Sequence, residues 1–171
     1  TYMLTIKNLT VKYGEHTVLD NLSLDLAENA IHGLVGVNGS GKTTLLNTMY
    51  GIIEPENGEI MRNGEELLYS GISYLEAVNY FYPRITGSEY LGLFQINNPA
   101  FDIQKWNKIF QLPLDTYINT YSTGMKKKLA FMGILCLDRE ILILDEPFNN
   151  LDLETNSMLF KILELIAGSG K

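Results

Sequence analysis

The segment GVNGSGKT, Gly36 to Thr43, constrains this chain more than any other stretch. It fits the pattern glycine, four residues, glycine, lysine, then serine or threonine, which phosphate-binding loops share. The apolar run AIHGLV at 30–35 precedes it and predicts a buried strand. TTLLNTMYG follows, with Leu45, Leu46 and Met49 at helical spacing and Gly51 at the end. A strand–loop–helix unit of this kind needs a sheet to hold the strand, which implies an α/β core. The residue types explain themselves chemically. Gly36, Asn38, Gly39, Ser40 and Gly41 are small enough for successive backbone N–H groups to converge on phosphate oxygens. The following helix adds its positive end. Lys42 can reach the β- and γ-phosphates, and Thr43, with Thr44 beside it, can offer a hydroxyl to Mg²⁺. The bland alternative is a glycine-rich turn with a surface lysine. A chance match to the pattern in a chain this long is on the order of 1%, and the flanking runs favour the nucleotide.

The run ILILDE is too apolar for anything but a central strand. Asp145 at its end can hold Mg²⁺ directly or through water, and Glu146 can polarise an attacking water as a general base. Strands often end in acidic turns, so the pair is weak evidence alone. With the phosphate loop it becomes strong.

The remaining segments place these motifs. Val18 to Leu26 alternates apolar and polar, apart from the Leu19–Asp20 pair, and predicts a half-buried strand. NG at 63–64, after the short run Glu59 to Arg62, signals a hairpin. Farther on the pattern turns helical. Thr86 with Glu89 makes a capping box, and Asp102 caps a helix carrying Ile103, Trp106, Ile109 and Phe110 that Pro113 ends. A third helix starts at Ser122 with Met125, Leu129, Met132 and Cys136 on one stripe, which leaves Lys126, Lys127 and Lys128 to water. Asp152 or Thr155 opens a last helix that closes at Gly168. The expected organisation is an α/β core over 1–83 and 136–171, with an antiparallel β subdomain at its N-terminal end. A helical subdomain is inserted at 84–135.

At 171 residues, 46% hydrophobic and 19% charged, the chain has the composition of a globular domain. Its formal net charge of −7 argues against nucleic acid as a partner, because such binding neutralises phosphates with many cations. The single cysteine, Cys136, fits a reducing compartment, and no apolar run is long enough to span a membrane.

YSTGM ahead of a helix, followed by ILILDEP and then NNLD at 149–152, resembles the signature motif, acidic strand and D-loop of the ATP-binding cassette (ABC) ATPases. The resemblance covers essentially the whole chain. It implies a P-loop ATPase fold that binds ATP with Mg²⁺, with Tyr13 as the aromatic that stacks on adenine. Two such domains would meet head to tail, and Ser122 and Gly124 would then face the γ-phosphate held by the second domain. A transmembrane permease subunit would be the other partner, placing the protein on the cytoplasmic face of a membrane. The short helical subdomain looks most like exporter-type subunits.

Several positions depart from the family pattern. Tyr121 and Thr123 stand for its usual leucine and glycine, and Phe148 for a small hydroxyl residue. Ala77 stands where the family carries glutamine, with Glu76 one residue early. The chain stops at Lys171, before a strand and histidine the family would supply, so weak hydrolysis by these residues alone is the expectation. Neither His16 nor His32 is placed to substitute, and His32 reads as a structural histidine in its strand. A soluble ABC ATPase and a cassette that clamps ATP without turnover are the competing readings; no guanine-reading motif supports a GTPase. The transported cargo is not legible.

Overall fold

The computed structural model describes residues 2–171. Its elements run β1 (Tyr2–Tyr13), β2 (His16–Ala27), α1 (Lys42–Met49), β3 (Asn57–Arg62), β4 (Glu65–Glu66) and β5 (Ile72–Leu75). There follow α2 (Gly87–Gln95), α3 (Ile103–Phe110), α4 (Thr123–Cys136), β6 (Ile141–Leu144) and α5 (Leu153–Ala167). Two compact units contain them: one of residues 1–72 with 161–171, the other of residues 73–160.

The first unit holds an antiparallel sheet in the order β2-β1-β3-β4. Leu4 and Ile6 of β1 point into the core, and so do Leu9 and Val11. A strict alternation cannot put even and odd positions on one face. A bulge corrects the phase: Asn8 takes φ 50°, and its N–H donates to Ser23 Oγ at 2.9 Å. Asn21 repeats the device in β2, with φ 50° and its N–H on Thr10 Oγ1 at 3.1 Å. The interrupted alternation at Leu19–Asp20 is therefore one strand with a built-in bulge. Gly58 in β3 sits against the bulge of β1. A Cβ there would lie 2.6 Å from Lys7 O, Asn8 O and Leu9 Cα, so only glycine fits.

The run 30–35 does not form the buried strand that its sequence predicts. It is irregular and exposed, with Val35 at 94% accessibility. Apolar content marks a segment that could be buried in a sheet, but a strand also needs a neighbouring backbone for its N–H and C=O groups. Residues 30–35 pair with no strand among the described residues. His32 accordingly lies in an irregular segment, where its Nε2 donates to Ala27 O at 3.1 Å.

In the second unit β6 pairs with β5 alone, in a two-stranded sheet, so among the described residues it is not the central strand that its apolar run predicts. The capping box of α2 is complete: Thr86 Oγ1 accepts from Glu89 N, and Glu89 Oε2 accepts from Thr86 N at 2.7 Å. Asp102 caps α3, which ends with Gln111 at φ 54° ahead of Pro113. α4 is the centre of the unit. All eight residues from Leu129 to Cys136 are buried, so this half of the helix has no solvent face. Phe110 packs against Phe131 with ring centroids 6.3 Å apart and planes tilted by 45°, and Phe94 packs so close to Gly133 that an added Cβ would stand 3.1 Å away.

Candidate functional site

The phosphate-loop residues lie together in the first unit. Gly41 precedes α1 at φ 89°, and a Cβ there would meet Leu19 Cδ2 at 3.0 Å, Val18 Cγ1 at 3.1 Å and Val18 O at 3.3 Å. The third motif glycine is thus required twice, by backbone conformation and by the close approach of β2. Gly39 also has a positive φ, 80°, and Ser40 N donates to Val37 O at 3.2 Å to close the turn. Lys42 Nζ donates to the carbonyls of Gly36 and Val37 at 2.7 and 2.9 Å, so its ammonium is folded back onto its own loop. The loop is exposed from Gly36 through Ser40, and α1 begins directly after it. An exposed, glycine-rich loop that carries a cation ahead of a helix N-terminus is chemically suited to a polyphosphate. Tyr13 ends β1 opposite His16 and is 53% accessible, which leaves its ring available for stacking. Thr43 is exposed and Thr44 half-buried on the first turn of α1.

The acidic residues and the signature residues lie together in the second unit. Asp145 follows β6, buried at 5% accessibility, with its N–H on Leu75 O at 2.8 Å. Glu146 is exposed and takes φ 49°, a left-handed conformation that few non-glycine residues adopt. Its Oε2 accepts from Asn149 Nδ2 at 2.8 Å, and its carbonyl accepts from Asn149 N at 3.3 Å. The turn continues to Asn150 at φ 61° and ends at Asp152. The Asp152 carboxylate caps α5 through Thr155 N and Thr155 Oγ1, both at 2.8 Å. Those bonds hold the Asp152 carboxyl below the usual aspartate range.

Ser122 caps α4 by accepting from Met125 N at 3.2 Å, and a Cβ on Gly124 would touch Leu151 Cδ2 at 3.5 Å. Tyr121, the departure from leucine, is buried and donates its hydroxyl to Pro113 O at 2.7 Å, which anchors the chain entering α4. Thr123 is exposed.

Three residues of this region carry roles that the sequence does not announce. Lys127 is not on a wet face: it is 7% accessible, and its Nζ donates to Glu146 O and, at 3.3 Å, to Asn149 O. Burial pushes its pKa down, while Glu146 and Asp145 pull it back up. The signal is present in the fully apolar run that follows, because Lys127 is one turn before Phe131 on a helix with no solvent side there. Asn149 is the second, through its bonds to Glu146. Tyr74 of β5 is the third. Desolvation, then the charges of Asp145 and Glu76, push its hydroxyl pKa up to about 12. Glu76 is exposed directly after β5, and its carbonyl accepts from Asn79 Nδ2 at 3.2 Å; Ala77 is half-buried. Beyond them Phe81 packs on Tyr90 at 5.1 Å, whereas Tyr80 and Tyr82 are exposed.

The family model described as "ABC transporter" matches residues 19–149. The uncharacterized ABC transporter ATP-binding protein YybJ of Bacillus subtilis is 34% identical over 163 residues, 88% of this chain and 73% of that protein. The bacitracin transport ATP-binding protein BcrA of Enterococcus faecalis is 32% identical over 162 residues, 88% of this chain but 53% of its own length. The chain thus spans about half of BcrA and about three quarters of YybJ. A solved ATP-binding subunit of an ABC transporter superposes with a TM-score of 0.88 at 25% identity, covering 98% of this chain and 76% of that one. The glycine-required loop, the acid-ended strand and the capped signature helix all fall within that match or directly at its edges, and the chain belongs to the ATP-binding components of the ABC transporter family.

Proposed function

We propose that this chain binds ATP and hydrolyses it to drive a membrane transporter, with Glu146 orienting the attacking water. The observation that carries the reading is the loop 36–43. Gly41 admits no side chain, and Lys42 holds its ammonium on the loop carbonyls of Gly36 and Val37. Tyr13 stacks on adenine, Gly36, Asn38, Gly39, Ser40 and Gly41 present backbone, and Thr44 supports the first turn of α1. Thr43 and Asp145 are the residues that would hold Mg²⁺, which when bound would supply charge neutralisation at the phosphates. Glu146 accepts a proton or hydrogen bond from water at its carboxylate, which Asn149 orients. Ser122 and Gly124 address the γ-phosphate of a second ATP-binding domain in a head-to-tail pair, where the N-terminus of α4 offers unpaired N–H groups.

The second partner is a transmembrane permease subunit, and the exposed Tyr80 and Tyr82 are its contact. No helix among the described residues is long and apolar enough to cross a membrane. On this reading the protein works at the cytoplasmic face. Export is the direction we favour, from the short helical segment between β5 and α4. The curated relatives include one named for import, so family membership alone does not set the direction.

Lys42→Ala tests the assignment. Loss of a charge-assisted phosphate contact costs about 1.5–3 kcal/mol, roughly tenfold or more in ATP affinity. Unchanged affinity for labelled ATP would sink it. Glu146→Gln separates hydrolysis from clamping: it should bind ATP normally and release phosphate at least about a hundredfold more slowly. Wild-type protein that binds ATP with its partners present yet releases no phosphate would establish the clamp instead, the reading that Ala77 leaves open.

A further inference from the structure

Glu146 stands in a left-handed conformation that is strained for a side-chain-bearing residue and persists only where its surroundings over-determine it. Three sets of bonds hold it. Asp145 N fixes the strand end to Leu75 O, and Asn149 closes the turn locally through its N–H and its amide. The remaining bonds come from α4: Lys127 reaches across the chain to two carbonyls of the turn, those of Glu146 and Asn149. We propose that Lys127 is a positioning residue for ATP hydrolysis, its ammonium tying the Glu146 turn to the first turns of α4 and so setting where the Glu146 carboxylate stands. This rests on the reading of Glu146 given above. α4 starts at Ser122 and Gly124, so a displacement of that helix end is passed through Lys127 to the carboxylate. Only one member of the lysine run is placed to do this. Lys126 and Lys128 are half-exposed, and Lys127 alone of the three is buried.

A buried lysine that merely satisfied two carbonyls would matter for stability only, and the kinetics separate the two roles. Lys127→Met keeps the stem and removes the donors. In the intact protein with its partners, it should lower kcat for ATP about a hundredfold while KM stays within about twofold, because misplacing a reacting group by an ångström has that scale of effect. Lys127→Arg keeps charge and donors and should recover most of the loss. Added to Glu146→Gln, Lys127→Met should slow turnover no further, since it acts through that residue. If the methionine variant does not fold, Lys127→Gln, which retains an amide donor, is judged by the same split. Full kcat in a folded Met or Gln variant overturns the proposal, as does a loss shared equally by kcat and KM with a lowered melting midpoint. Wild-type turnover in Glu146→Gln would instead remove the reading of Glu146 on which it rests.

Discussion

The loop at 36–43 and the turn at 145–152 both shape a few backbone groups for phosphate chemistry, by opposite means. The loop is exposed and held locally: two positive-φ glycines, one Val37–Ser40 turn bond, and a lysine folded onto carbonyls five and six residues back. The turn is anchored from a distance. Lys127 reaches it across a separation of 19 residues, and β5 fixes its first residue. A loop that must close around a ligand gains from few outside ties, whereas a carboxylate that must stay on a water gains from many.

The sharpest way to break this contrast is at Gly41. Gly41→Ala forces a Cβ into φ 89° with three atoms at 3.0 to 3.3 Å. The close approach of β2 leaves that Cβ no room without moving the loop, so nucleotide affinity should fall more than tenfold, with a stability cost of about 1–3 kcal/mol. Titration with a fluorescent ATP analogue and a thermal melt check both. Retained affinity would mean that the loop geometry is fixed by something other than Gly41.

The difference also explains what the sequence discloses. The loop, the caps at Thr86 and Asp102 and the hairpin at 63–64 depend on residues a few positions apart, and a linear reading reaches them. The strand predicted at 30–35 does not form, because its apolar pattern says nothing about which backbone pairs with it. The sequence assigns Lys127 to water because one stripe of apolar residues reads as the buried face, whereas α4 is buried on every side beyond it. The link from Lys127 to Glu146 belongs to tertiary packing, which no local pattern encodes.

Asn149→Ala sharpens the comparison from the turn's side. It removes the amide donor at 2.8 Å from Glu146 Oε2 but leaves the Lys127 and backbone bonds in place. The expected result is a kcat about tenfold lower at unchanged ATP affinity, smaller than for Lys127→Met because the backbone stays anchored. Phosphate release under single-turnover conditions measures it. An effect larger than that of Lys127→Met would show that the local bond dominates the distant one.

Ser122 has two assignments, helix cap and phosphate contact, and substitution can divide them. Ser122→Ala removes the acceptor for Met125 N and should cost about 1 kcal/mol of stability. Ser122→Asp caps equally well but carries a negative charge toward the proposed phosphate. Melts should show the aspartate variant near wild type, while its steady-state phosphate release falls below that of the alanine variant. Equal rates for the two would leave Ser122 a cap alone.

The smallest effect concerns the far end of the turn. Asp152 is exposed, and its carboxyl is held below the ordinary range first by Thr155 N, then by the Thr155 hydroxyl, with the charge of Lys128 a minor aid. A carboxyl with a depressed folded pKa adds stability that is fully present above its unfolded value, about 3.9, and is lost as pH falls through the lower folded value. Asp152→Asn keeps an acceptor for Thr155 N but no charge. The melting midpoint of the wild type should therefore exceed that of the variant slightly at pH 6, and the gap should close on acidification below about pH 4. The gap should also narrow in high salt only modestly, because hydrogen bonds outrank the Lys128 charge among the causes. A gap that instead vanished with salt at pH 6 would make Asp152 a partner of Lys128 rather than the cap of α5, and the turn would then be tied to α4 by two lysines instead of one.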